Sequence, residues 1–157
     1  MTNQSLHGRS LYKHRSHSPR RLRRGAALVE FAMVVPILIF MILGIMEFGW
    51  YAKNQLTVAN ATREGARQAS LGRTTGEIET RVRNSAAPVT INEVELRYSD
   101  ESGTNFPNTL GNNGSENNAP AGRMVRVTSK AAHRSLTSLS LFGSEIRVTV
   151  IMVRERN

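Results

Sequence analysis

Ala26–Met46 reads AALVEFAMVVPILIFMILGIM, 21 residues with a single charge at Glu30. As a helix rising about 1.5 Å per residue, the run is roughly 30 Å long, which is the hydrocarbon thickness of a bilayer. A helix from a soluble core would show a polar stripe, and Val34–Met46 has none. The segment therefore reads as a membrane span, and the rest of the chain must lie to one side of it or the other.

Charge decides the sides. Lys and Arg number 21 against 12 Asp and Glu, a net +9. Seven of the bases, Arg9, Lys13, Arg15, Arg20, Arg21, Arg23 and Arg24, precede the span with no acid among them. The positive-inside rule keeps that end cytoplasmic, Arg20, Arg21, Arg23 and Arg24 counting most, and places residues from about 49 onward outside. Trp50 and Tyr51 then fall at the outer boundary, where amphipathic rings prefer headgroup level. Residues 1–25 mix Ser, His, Pro and Arg without apolar period, so a disordered leader is expected. With the basicity concentrated beside an apolar helix, membrane lipid is the expected partner; a nucleic-acid partner would require the Arg tail alone to carry the affinity.

Two residues in the span are out of character. A carboxyl one turn into an apolar helix costs up to roughly 2.5–3.5 kcal/mol if it reaches the bilayer centre and less near the edge, so Glu30 is either a functional group or a snorkelling one. Pro36 lacks the N–H that would bond back to Ala32, so a kink is expected there.

Three export signals compete for residues 20–46. An ordinary signal peptide has a shorter apolar core, and the first A-x-A match, Ala59-Asn60-Ala61, lies far beyond this one. A twin-arginine signal can be read into Arg20-Arg21 or Arg23-Arg24, but paired arginines are common in basic flanks. A prepilin-type leader ends in Gly and precedes an apolar helix with Glu at its fifth position. Gly25 followed by Ala26, Ala27, Leu28, Val29 and Glu30 fits without adjustment.

From Arg23-Arg24-Gly25-Ala26-Ala27-Leu28-Val29-Glu30-Phe31-Ala32, through Pro36, to Gly44-Ile45-Met46-Glu47-Phe48-Gly49, the chain resembles the TadE-like pseudopilins of tight-adherence (Flp) pilus systems. The resemblance continues through Asn60-Ala61-Thr62-Arg63-Glu64-Gly65-Ala66-Arg67-Gln68-Ala69, similar to the family's A-x-R-E-G-A-R-x-A segment. It implies a bacterial inner-membrane protein with an extracytoplasmic C-terminal domain. It also implies a prepilin peptidase cutting between Gly25 and Ala26, and pairing of Glu30 with the new terminal amine of a neighbouring subunit. Glu30-Phe31 corresponds to the Glu-Tyr/Phe pair of the Flp processing motif. Other pilin-like subunits and pilus assembly proteins are the implied partners. Flp major pilins are very short, so the long segment after the helix favours a minor pseudopilin or assembly factor. An uncleaved membrane-anchored binding module is the alternative.

The exported part is expected to be α+β. Lys53–Leu71 should extend the span as an amphipathic stalk, with Leu56, Val58, Ala59, Ala66 and Ala69 as its small-residue stripe and Glu64–Arg67 as a three-spaced ion pair. Thr74 or Thr75 can cap a second helix reaching about Ala87, with Glu77 in its first turn and Pro88 as its stop. Val94, Leu96 and Tyr98 alternate with charged residues, and the phase change from Val89 and Ile91 predicts a bulge near Asn92. Val125 and Val127, then Ile146, Val148, Val150 and Met152, give two more strands. Asp100–Gly122, rich in Asn and Gly, reads as a long mobile loop. Ala131–Phe142 is ambiguous between a short helix and a crossover.

The expected architecture is a long N-terminal transmembrane and stalk helix followed by a small three-stranded antiparallel sheet, pilin-like in outline. Its parts are a leader over 1–25, a span over 26–48, a helical stalk over 49–87 and a β-rich domain over 88–157.

No catalytic constellation is visible. The chain has no Cys, which removes thiol catalysis, disulfides and Cys-ligated metal. His133 is the only histidine after the leader and reads as a lone surface residue. The Asn-rich stretch 112–118 has only Glu116 to offer calcium. A non-enzymatic protein without metal, cofactor or small-molecule substrate is the expectation.

Overall fold

The computed structural model describes residues 20–136 and 143–155, with side chains from Gly25 onward. The expected disordered leader over 1–25 lies mostly outside the described residues. The chain divides into two units, one ending at Phe40 and one beginning at Met41.

The described part of the first unit is the beginning of α1 (Arg20–Ser70). Leu28, Val29, Phe31, Met33, Val34, Ile37, Leu38, Ile39 and Phe40 are all exposed, as lipid-facing side chains would be. The helix is long and apolar enough to cross a membrane, and its most apolar window buries nothing inside the protein. Pro36 lies within α1, and the helix continues past it.

In the second unit α1 runs on to Ser70 and ends for a local reason. Gly72 takes φ +85°, the left-handed value a helix terminator needs. Its N–H donates to Ala69 O at 3.1 Å, and Arg73 N–H donates to Gln68 O at 3.1 Å, the paired bonds of a Schellman stop. α2 (Thr75–Ala86) starts two residues later on Thr74, whose side chain accepts from Glu77 N–H while the Glu77 carboxyl accepts from Thr74 N–H at 3.0 Å. This reciprocal capping box satisfies two orphan donors of the first turn.

The main sheet is antiparallel, in the order β2-β1-β5-β6, with β1 (Ile91–Tyr98), β2 (Asn108–Thr109), β5 (Met124–Ala132) and β6 (Glu145–Val153). The three expected strands are β1, β5 and β6. The fourth, β2, corrects the expectation of a three-stranded sheet. It is only two residues long, too short to show a period, and exists because Asn108 and Thr109 pair with Tyr98 and Arg97. The register of β1 against β5 shifts between Ile91 and Glu93, where the bulge near Asn92 was expected.

Asp100–Gly122 also differs from the single long loop read from its composition. Besides β2 it carries a hairpin of β3 (Asn112–Asn113) and β4 (Glu116–Asn117), closed through Gly114 at φ +67°. Leu110 and Ala119 on either side are buried in the core. Asn117 is buried too, its amide donating to Ala69 O at 2.9 Å and Arg73 O at 3.1 Å. An Asn-rich composition here serves specific backbone caps.

Helices and sheet form two layers. Val58, Ala61, Ala66 and Ala69 of α1 and Ile78, Val82 and Ala86 of α2 pack against Ile91, Leu96, Val125, Val127, Ala131 and Ile146. Small α1 residues bring the helix close to its neighbours, and Leu56, expected in the same stripe, is instead exposed because it lies off that face. At about 25 cal/mol per Å² of apolar area removed from water, this burial is the main term holding the unit together.

Candidate functional site

The residues singled out by sequence fall into three places. Gly25, Ala26, Glu30 and Phe31 lie on exposed helix, Phe31 two-thirds so. A side chain built at Gly25 would meet nothing within 4 Å. Gly25 sits inside α1, where glycine weakens a helix by roughly 0.5–1 kcal/mol relative to alanine and so eases local unwinding. Of the Arg20, Arg21, Arg23 and Arg24 group, only the helical backbone is described.

The Arg63–Arg67 segment is split between two roles. Gly65 and Ala66 turn inward: Ala66 is fully buried, and a Cβ on Gly65 would overlap the Val82 side chain of α2. Arg63, Glu64 and Arg67 turn toward solvent. Arg63 reaches Asn60 Oδ1 at 3.3 Å, and the Glu64 carboxyl accepts from Arg67 Nε at 3.1 Å and Gln68 Nε2 at 2.8 Å, with Arg81 at 3.8 Å. The Arg67 and Gln68 bonds hold Glu64 below the usual carboxylate range. The glycine sets how closely α1 and α2 approach, and the charges flank that approach.

Glu47, Phe48 and Gly49 lie where the apolar run ends. Phe48 is exposed, and Gly49 has open space around it. Glu47 is wholly buried. Its carboxyl accepts from the Ser135 hydroxyl and, at 3.0 Å, from the Leu136 N–H. His133 Nε2 stands 3.8 Å from it, and the His133 ring meets Tyr51 edge-on at 5.0 Å. Trp50 Nε1 donates to Arg134 O at 3.2 Å, adding a further bond between helix and strand end.

His133 is therefore not the surface residue expected from sequence. It is buried, and among the described residues neither ring nitrogen makes a hydrogen bond. Ser, His and Glu meet here, but the serine hydroxyl donates to the carboxyl, and neither nitrogen of the buried imidazole makes a hydrogen bond among the described residues. That is the reverse of the order that activates a serine nucleophile. The arrangement latches the β5–β6 connection onto α1. Sequence reasoning missed His133 and Ser135 as partners of Glu47; an acid directly after an apolar span was the one available signal.

At the opposite end of the unit Arg154 is buried and donates to Ser70 O at 3.2 Å, Glu155 O at 3.1 Å and Glu116 Oε2 at 2.9 Å. Its guanidinium occupies the space a Gly72 side chain would take. No group of three His, Cys, Asp or Glu among the described residues is placed to hold a metal.

These features define a class: among the described residues one helix is able to span a membrane, and its C-terminal part belongs to a small two-layer α+β unit. Residues 25–67, from Gly25 through the Arg63–Arg67 segment, match the family described as TadE-like protein. No curated protein and no solved structure matches the chain.

Proposed function

We propose that this chain is a non-enzymatic, single-pass membrane pseudopilin that takes part in assembling a tight-adherence (Flp-type) pilus or a related envelope secretion machine. TadE-like proteins are associated with pilus systems of this type, and the match over residues 25–67 is the observation that carries the reading. α1 anchors the chain in the bacterial inner membrane, with the arginine-rich end cytoplasmic and the α+β unit outside. A prepilin peptidase removes residues 1–25.

The placement of the motif supports this reading. The Gly25–Ala26 bond and the Glu30 carboxyl are exposed on α1, so a peptidase and a neighbouring subunit's terminal amine can reach them. In a low-dielectric layer an ammonium beside that carboxyl favours the charged form of both. Burial of Gly65 and Ala66 against α2 leaves assembly contacts to the exposed side chains around them.

The test is the N-terminus of the protein recovered from membranes in which a prepilin peptidase is co-expressed. Mature protein beginning at Ala26 supports the pseudopilin. A chain that keeps residues 1–25 would favour the uncleaved, membrane-anchored binding module.

A further inference from the structure

At the point where the apolar run of α1 ends, residues from far along the chain lie against it. Ser135 and Leu136 donate to Glu47, and Arg134 O accepts from Trp50, so three consecutive residues of the β5–β6 connection are held level with helix residues 47–50. That level begins one residue past Met46. Leu136 is 53% exposed and Phe48 59%, and Ile45 and Met46 below them are exposed as well. Cations sit in the same collar: the Lys53 ammonium lies 5.1 Å over the Trp50 ring, and Arg134 is exposed.

An outward leucine, an amphipathic indole and two cations at one height are the composition that the headgroup layer of a bilayer favours. We propose that Arg134–Leu136 is a second membrane contact of the exported unit. Leu136 enters the upper acyl layer of the leaflet from which α1 emerges, and Arg134, together with Lys53, binds lipid phosphate. The proposal rests on reading α1 as a membrane span. Lipid is the occupant because the Leu136 N–H is held on Glu47, one residue past the end of the apolar run at Met46, where an exposed leucine stands at the level of the span's outer end, and because two cations match phosphate. The contact fixes the height of the exported unit above the bilayer.

The chain has no cysteine, so single-cysteine variants of the full-length protein take one spin label each. Leu136→Cys, Phe40→Cys and Asn113→Cys, reconstituted in vesicles containing anionic phospholipid, are compared by collision with oxygen and with a water-soluble nickel chelate. Unchanged fluorescence of Trp50, the sole tryptophan, shows that the collar is intact. The expected result is oxygen access exceeding nickel access at 136, as at 40 and unlike 113. Adding Arg134→Glu is expected to move position 136 toward the aqueous value.

A water-like label at 136 with a lipid-like label at 40 overturns the proposal alone, and so does a label at 136 shielded from both reagents, which would mean a protein neighbour. No shift on Arg134→Glu overturns phosphate binding by that residue. A water-like label at 40 overturns the membrane span itself, and the proposal with it.

Discussion

The Ser135 hydroxyl donates to the carboxyl of Glu47, a residue 88 positions earlier in the chain, and the carboxyl it meets has no solvent exposure. With the Leu136 N–H on the second oxygen, the bond ties the last third of the chain to α1 where the apolar run stops. The position after Met46 thus serves as an internal attachment point, and an acid suits it because each carboxyl oxygen can take one donor.

Glu47→Ala leaves two part-buried donors without their acceptor and is expected to cost about 1 kcal/mol or more locally. Glu47→Gln, which keeps an acceptor, should cost less. Hydrogen exchange at residues 133–136 of the detergent-solubilised chain reads this directly. Equal protection in Glu47→Ala and the parent chain would show that the latch contributes nothing.

Gly65→Ala should destabilise the second unit even though alanine is the better helix former by about 0.8–1.0 kcal/mol. The added methyl overlaps the Val82 side chain, and overpacking of this kind costs roughly 1–3 kcal/mol. Val82→Ala in the same chain should recover part of the loss. A denaturant midpoint that rises in Gly65→Ala alone would contradict the close approach of α1 and α2.

Gly72 and Gly76 should respond in opposite ways to alanine. Gly72 needs φ +85°, and its missing side chain makes room for Arg154, so Gly72→Ala is expected to lower the thermal midpoint. Gly76 lies in α2 with nothing within 4 Å, and Gly76→Ala should stabilise by about 0.4–1 kcal/mol. The same sign of shift for both would be inconsistent with the helix stop described above.

Acid should destabilise the second unit through four carboxyls held below their ordinary range. Side-chain bonds from Arg67 and Gln68 lower Glu64, the Thr74 N–H lowers Glu77, Lys130 lowers Glu93 and the Ser102 hydroxyl lowers Asp100. Each binds a proton more readily when unfolded, so its contribution is complete above the unfolded value, near about 4 for Asp and Glu, and is lost as pH falls through the depressed one. The thermal midpoint should therefore drop on acidification below about pH 4, less steeply in Glu77→Gln, which keeps the cap but cannot titrate. Solvent screens all four, and high salt should shrink the effect. A midpoint insensitive to pH 3 would rule these groups out.

Glu30→Ala removes a carboxyl from an exposed position on α1 and should leave membrane insertion unchanged or easier. Under the pseudopilin reading it impairs assembly, scored by surface piliation in a cell expressing the remaining machinery. Normal piliation would count against pairing of Glu30 with a subunit amine.

Features set by neighbouring residues were legible in the sequence. Thr74 and Glu77 stand three apart and cap α2 whatever surrounds them; the phase change around Asn92 becomes a shift in β1 register; Ile146, Val148, Val150 and Met152 alternate because a strand exposes alternate faces. The 21-residue apolar run is decided the same way, by length and composition. The match over residues 25–67 falls on this part of the chain, where the motifs are contiguous.

What only the tertiary structure decided involves partners distant in sequence. Strand β2 exists because β1 offers it an edge, Asn117 is buried because the end of α1 leaves carbonyls to cap, and His133 is covered because Tyr51 and Glu47 lie opposite it. None of these positions carries a local period or motif. A residue's burial and hydrogen-bond partners depend on which surfaces the folded chain brings against it, and for Glu47 those surfaces come from the other end of the molecule.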